Sequence, residues 1–329
     1  MSRSTLSLGF LVFPGFPMAC LTSLIEPLRA ANEISQTEEF SWTVVSEHGG
    51  KTRSSAQVDF DSTCLHEAGT NLDYLFILAP PAADFERPST AGTLRSMARH
   101  GTRMGAVSGG VFPLVRAELG LGQPLAVHWC YRAAFDTAFP NHMASDQVVE
   151  IGETILTAAG AAAAFDIALH LVEARVNAPV AAEVACWFQH PMMRKANVAQ
   201  VVPLQDATTA LPPLVARAVD LLKQDLTHPQ GVAQIAHQVG VSPRQLERAF
   251  KKATALSPSR YYRKMRMEAA RQIVMYTNDP VSKIASAVGY CGTQAFSKHY
   301  HAAFGLSPAE DRKRINLYRV EGNLPVPSV

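Results

Sequence analysis

The 329-residue sequence holds no apolar run long enough to cross a bilayer, so a helical membrane span is excluded from its reading. It has no pair of cysteines at metal-clip spacing. Its five cysteines (20, 64, 130, 186 and 291) are scattered and odd in number. That pattern argues for reduced thiols in a cytoplasmic protein, and against a disulfide frame, a structural zinc site or any metal. Nothing in it calls for a cofactor. The N-terminus, MSRSTLSLGFLVF, has one Arg and an apolar run but no small-residue cleavage site after it. It reads as a first buried strand, not a signal peptide. Net charge is scarce as well, +2 overall.

What is present is a globular composition, 47% apolar and 18% charged, on a chain long enough for two domains. The small net charge hides an asymmetry. Residues 231–319 hold 15 Lys+Arg against 5 Asp+Glu, a local net of +10, which leaves −8 for the remainder. A basic C-terminal part suggests a polyanionic partner there.

Texture changes after Pro203. Gln205–Pro213 reads as a linker, and beyond it nearly every segment reads as helix. Ser242-Pro243, Ser257-Pro258, Asp279-Pro280 and Ser307-Pro308 each place a capping side chain before a proline at the first helical position. Ile235-Ala-His-Gln-Val-Gly240 returns as Ile284-Ala-Ser-Ala-Val-Gly289, and Leu256-Ser-Pro258 returns as Leu306-Ser-Pro308. Each copy is a short helix, a glycine turn and a second helix, the helix-turn-helix pattern. In the first copy Leu246, Ala249 and Phe250 share one face, with Arg244, Gln245, Arg248, Lys251 and Lys252 off it. In the second, Phe296, Tyr300 and Phe304 face inward and Thr293, Gln294, Ser297, Lys298 and His301 outward. Two such helices suit successive major grooves roughly 34 Å apart. Arg, Gln and Thr are chemically fit to read bases, while lysines suit phosphates.

Residues from about 214 to 319 resemble the AraC/XylS family of transcription factors. The resemblance rests on both helix-turn-helix units, the arginine-rich connector Tyr261–Arg271, and the stretch VGYCGTQAFSKHYHAAFGLSP, in which Cys291 stands where serine is commoner. It implies promoter DNA as a partner, with RNA polymerase as a further one.

The N-terminal two thirds alternate strands and helices. Leu6–Phe13, Trp42–Ser46, Tyr74–Leu78 and Met104–Val107 read as strands, and Leu21–Glu33 and Ser89–His100 as helices. Alternation of this kind predicts a parallel sheet covered on both faces, with ligands at the carboxyl edge. There RMGAVSGGVF has the form of a nucleophile elbow, a lone Ser108 between strand and helix. Val12-Phe-Pro-Gly-Phe-Pro17 and Leu78-Ala-Pro-Pro81 are turns at the same edge, and His128-Trp129 follows twenty residues after the elbow. Ile155–Val172 is small-residue rich and reads as the start of a tightly packed helix, with Asp166 in a structural hydrogen-bonding role.

About residues 5–190 resemble the PfpI/ThiJ superfamily, relatives of class I glutamine amidotransferases. The whole chain is similar to GlxA-like regulators, in which that flavodoxin-like sandwich is fused to an AraC-type domain. The resemblance places Ser108 on the enzymes' cysteine and His128 on their histidine. The acidic position falls near Phe16–Cys20, which holds no carboxylate, and Glu26 lies about two turns further on. A serine at its free pKa needs an oriented base, so a regulator is expected and not an enzyme. A hydrolase or amidotransferase-like enzyme with Ser108 as nucleophile is the alternative. The expected domains are an effector-sensing and dimerisation domain at 1–192, a linker at 193–213, a DNA-binding domain at 214–319 and a disordered tail at 320–329. Amides of the helix after Ser108 suit a carboxylate. Ser108, Gly109, His128, Trp129, Phe16, Pro17 and Pro80 are the expected effector contacts. The resemblance implies an activator, homodimeric, sensing an amino acid, betaine or carnitine.

Overall fold

The computed structural model describes residues 4–67, 71–190, 198, 200, 211–224, 226–276 and 279–316. These fall into two compact units, one ending at Gln200 and one built of the helices beyond it. Of the expected linker only 198, 200 and 211–213 are described, and the expected tail lies outside the described residues.

Unit 1 is built on strands β1 (Leu6–Val12), β2 (Phe40–Ser46), β3 (Gly50–Arg53), β4 (Asp59–Cys64), β5 (Tyr74–Ala79), β6 (Arg103–Ser108), β7 (Pro124–Ala126), β8 (Met143–Ser145), β9 (Val149–Ile151) and β10 (Ile155–Ala158). One sheet runs β3-β4-β2-β1-β5-β6-β10-β9; its six inner strands are parallel, and β3 and β9 add antiparallel edges. β7 and β8 form a separate parallel pair. β5 is buried at all six positions, the continuous apolar pattern of a strand covered on both faces.

The helices are α1 (Met18–Ser35), α2 (Pro88–Arg99), α3 (Val111–Arg116), α4 (Arg132–Ala138), α5 (Ala161–Arg175) and α6 (Ala178–Trp187). α1 packs against α5 and α6, and the buried alanines 30, 31, 164 and 168 let the backbones approach. Asn32 locks α1 to β2: its Nδ2 donates to Phe40 O at 2.8 Å and its Oδ1 accepts from Phe40 N at 3.0 Å. The reading of Ile155–Val172 as one helix is corrected. Ile155–Ala158 is strand, paired parallel to Met104–Val107, and the helix begins at Ala161. Four buried residues complete the sheet there, with the Thr157 hydroxyl accepting from Ala126 N at 2.8 Å, and Gly160 marks the break. Asp166, 3% exposed, lies 3.0 Å from His190 Nε2 and ties α5 to the chain after α6.

Unit 2 is helical: α7 (Pro213–Gln224), α8 (Val232–Gln238), α9 (Pro243–Thr254), α10 (Pro258–Tyr276), α11 (Val281–Ala287), α12 (Thr293–Phe304) and α13 (Pro308–Asn316). α8–α9 and α11–α12 are the two helix-turn-helix units. Gly240 and Gly289 take φ values of 76° and 74° at equivalent turns, a backbone that glycine adopts without a Cβ penalty. Leu246, Phe250, Ile235 and Tyr262 anchor the first unit's core, while Ile284, Val288, Phe296 and Tyr300 are buried in the second. Three of the expected caps form. Ser242 makes a full capping box with Gln245, Ser307 and Glu310 bond reciprocally, and Ser257 Oγ accepts from Arg260 N at 3.4 Å. Asp279-Pro280 departs from the expectation: Pro280 is itself the N-cap of α11, and Asp279 reaches Lys283 Nζ at 3.0 Å instead.

Candidate functional site

Ser108 ends β6 with φ +55°, in the left-handed region that costs a residue with a Cβ. Its Oγ is fully buried and, among the described residues, has no hydrogen-bond partner. The two glycines after it make the turn sterically possible. A Cβ on Gly109 would overlap the Ala79 carbonyl oxygen and lie 2.6 Å from Pro81 N; one on Gly110 would overlap the Ile77 carbonyl oxygen. The elbow is therefore pressed backbone to backbone against the end of β5, with the buried Pro80 in that contact.

The other expected contacts are placed as follows. His128, 7% exposed, caps a single 3-10 turn at Trp129–Tyr131. Its Nδ1 lies 2.8 Å from Cys130 Sγ and accepts from Cys130 N at 3.3 Å. Burial drives its pKa down to about 4, so the ring is neutral near pH 7. That nitrogen is committed to Cys130, and no hydrogen bond joins His128 to Ser108. The Tyr131 ring connects the two regions, 5.4 Å from His128 and edge-on to Phe112 of α3 at 6.4 Å. Trp129 is half-buried. Phe16 is fully buried and packs edge-on to Phe60 at 5.4 Å, so its ring belongs to the core; Pro17 is buried beside it.

The expected anion cradle is narrower than the sequence suggested. α3 is only six residues long, Gly110 N bonds back to Val107 O at 2.9 Å, and Phe112 N bonds to Gly109 O at 3.1 Å. Two amides of the turn are thereby satisfied internally. A buried carboxylate does sit on the strand side of unit 1, but it is engaged. Glu47, 6% exposed, accepts from Glu86 N, Arg87 N and Thr90 Oγ1 at 3.0, 3.2 and 2.6 Å, capping α2.

In unit 2 the expected DNA contacts lie on α9 and α12. Arg244, Gln245, Arg248, Lys251 and Lys252 are exposed, as are Thr293, Gln294, Lys298 and His301, while Ser297 is half-buried. Gln245, expected among the DNA contacts, is engaged at its own helix terminus. Its Oε1 accepts from Ser242 N at 2.9 Å and from Ser242 Oγ at 3.0 Å, which holds the side chain back at its own helix terminus.

The helix-turn-helix domain family matches residues 235–314. The HTH-type transcriptional regulator GbdR of Pseudomonas aeruginosa is 32% identical over 329 residues, covering 99% of this chain and 89% of the relative. The HTH-type transcriptional regulator GlxA of Rhizobium meliloti is 25% identical across 95% of this chain and 97% of its own. The chain belongs to the GlxA-like, AraC-type transcriptional regulators. Among solved structures, an AraC family transcriptional regulator from Pseudomonas putida matches with TM-score 0.51 and 23% identity, covering 56% of this chain and 99% of its own, a likeness of fold.

Three features of the regulator were not visible as sites in its sequence. Arg266, in the arginine-rich connector, donates to Val288 O at 2.6 Å and Gly289 O at 2.7 Å, with its guanidinium 4.3 Å from the Tyr290 ring centroid. It caps α11 from α10 and fixes the second glycine turn; burial lowers its pKa. Arg271 and Tyr300 converge on the buried Asp311, both at 2.8 Å, which joins α10, α12 and α13. Burial and then that hydrogen bond push the Tyr300 hydroxyl pKa up. Gln200 closes unit 1. Its Oε1 accepts from Trp129 N at 2.8 Å, and its Nε2 donates to Val127 O and Gln147 O at 2.9 and 3.1 Å. An isolated Gln outside any periodic segment carries no signal in sequence.

Proposed function

We propose that the regulator activates transcription as a homodimer, reading promoter DNA with α9 and α12 in response to a small carboxylate-bearing metabolite of the amino acid, betaine or carnitine class. The observation that carries the DNA half is the matched pair of helices, each buried on one face by Leu246/Phe250 or Phe296/Tyr300 and polar and exposed on the other. Arg244 and Gln294 are the base readers in this reading, and the lysines meet phosphates. Binding that persists at high salt, or a footprint with no protected operator at low salt, would overturn it, because phosphate neutralisation must release counterions.

The effector half places the ligand at the Ser108, Gly109, His128 and Trp129 edge. Its support is the buried, unpartnered Ser108 hydroxyl in a strained turn at the end of a central parallel strand. Gln200 is hydrogen-bonded to Trp129 at the end of unit 1, so the last described residue of that unit is tied to the same edge. Thermal-shift screening of the full chain against amino acids, betaines and carnitine tests the effector class; Ser108→Ala should weaken any hit. The φ of +55° at Ser108 also favours a hydrolase elbow. Against that reading stand a His128 whose Nδ1 is committed to Cys130 and which makes no hydrogen bond to Ser108, and a Glu47 committed to α2. A covalent fluorophosphonate adduct on Ser108 would revive the enzyme.

A further inference from the structure

The two recognition helices are held by different means. α9 closes its own N-terminus with the Ser242–Gln245 capping box. α12 starts after Gly292, which offers no side-chain cap. Its support comes from Tyr290, in the turn before it. The Tyr290 hydroxyl lies 2.8 Å from His299 Nδ1, further along α12, and the Tyr290 ring meets Phe296 and His299 edge-on at 5.6 and 5.7 Å. Burial first, and then the charges of Arg263, Lys298 and Arg266, lower the His299 pKa. The imidazole is therefore neutral near pH 7 and accepts the phenol's hydrogen bond.

Two other elements clamp the turn that carries Tyr290. Arg266 of α10 holds the Val288 and Gly289 carbonyls while its guanidinium lies over the Tyr290 ring. From the segment before α8, Leu226 O and Pro229 Cγ would each lie 2.7 Å from a Cβ at Gly289. The same guanidinium is 5.7 Å from the ring centroid of Tyr262, which is buried in the first unit's core. One arginine thus ties the second turn to the first unit.

The first copy has no counterpart to this relay. Val241 follows Gly240 where Tyr290 follows Gly289, and Ala249 precedes Phe250 where His299 precedes Tyr300. Neither of those side chains can hydrogen-bond. A Cβ at Gly240 would meet nothing within 4 Å among the described residues.

We propose that Arg266 and Tyr290 are positioning residues for DNA readout, which set the angle at which α12 enters its groove, while α9 needs no such device. The inference rests on the reading of α9 and α12 as the helices that meet DNA. Arg266 and Tyr290 are engaged inside the domain and act on DNA through α12.

Selection of the full chain on a random-sequence duplex library, then titration of the selected duplex with each base block altered in turn, tests it. Arg244→Ala should blur the block read by α9 and Gln294→Ala the block read by α12, which assigns the two. Tyr290→Phe keeps the ring and loses only the bond to His299. It should cut discrimination at the α12 block by about threefold to tenfold, the factor one neutral hydrogen bond supplies, and leave the α9 block at the parent's level. Arg266→Lys cannot hold both carbonyls and lie over both rings, and should have the same selective effect in larger measure. Full discrimination at the α12 block in Tyr290→Phe, or equal loss at both blocks, would overturn the proposal. If Arg244→Ala and Gln294→Ala blur neither block, the reading of the two helices falls first and takes this inference with it.

Discussion

Ala255 and Gly305 stand at the same place in the two copies of the duplicated unit, each ending its second helix in the left-handed region. Their φ values are 59° and 73°. Each donates its amide to the carbonyl four residues back, Lys251 and His301. The backbone geometry is shared, but only the second copy holds the residue that adopts it without strain. Ala255→Gly should therefore stabilise the protein by about 0.5–1 kcal/mol, the left-handed penalty less the extra entropy of an unfolded glycine. Gly305→Ala should destabilise by about 1 kcal/mol. Thermal melts of the full chain check both, and a lower melting temperature for Ala255→Gly would sink the argument.

Gln245 provides a second separation of roles. Since its carboxamide closes the capping box on Ser242, Gln245→Ala should cost about 1 kcal/mol of stability while leaving base preference unchanged. Arg244→Ala and Gln294→Ala should instead relax sequence preference, each by about 1–3 kcal/mol of discrimination. Lys252→Ala should weaken all DNA alike and lower the salt slope by about 1. Binding titrations on operator and random duplexes at several salt concentrations distinguish these patterns. Loss of base preference in Gln245→Ala would return it to the groove.

The duplicated unit was legible because a repeat is a non-local pattern written twice: both glycine turns and the cap at Ser242 could be read from spacing, whereas the part Gln245 plays in that cap could not. The alternating strands of unit 1 were legible where they were apolar throughout, as in β5, and illegible where they were short and sat beside alanines, as in Ile155–Ala158. Helix and strand periodicity cannot be told apart over four buried residues. The elbow at Ser108 was readable from its glycines. What His128 touches was not, because a histidine's partner is set by the turn it caps. Nothing in the sequence singled out Asp311 in its charged C-terminal helix, and only packing shows it 1% exposed between Arg271 and Tyr300.

His128 sets a pH dependence. Its folded pKa, about 4, lies below its ordinary value of 6.5 because burial disfavours the charged ring. The stability held by the neutral ring is thus fully present above pH 6.5 and is lost as pH falls through about 4. The total is on the order of 3 kcal/mol. His128→Asn keeps a capping acceptor for the turn at Trp129–Tyr131 but cannot protonate in this range. Denaturant melts of unit 1's transition from pH 7 to pH 4 should show a smaller loss of stability in His128→Asn than in the parent. Parallel pH profiles for the two proteins would show that His128 is not the group responsible.

At the elbow itself, stability and ligand response should part company. Ser108→Ala removes a buried hydroxyl that has no partner, so it should be neutral or stabilising by up to about 1 kcal/mol. Ser108→Gly should also gain from release of the +55° backbone, offset by its unfolded entropy. Gly110→Ala is the opposite case. Its Cβ would collide with the Ile77 carbonyl, fixed in a central strand that cannot retreat, and a loss of more than about 3 kcal/mol is expected. If Ser108 serves as an effector contact, Ser108→Ala will melt no lower than the parent in the absence of ligand yet gain less when a responsive metabolite is added. A variant that melts several degrees lower without ligand would mean that the hydroxyl has a structural partner, and its assignment to the ligand would fall.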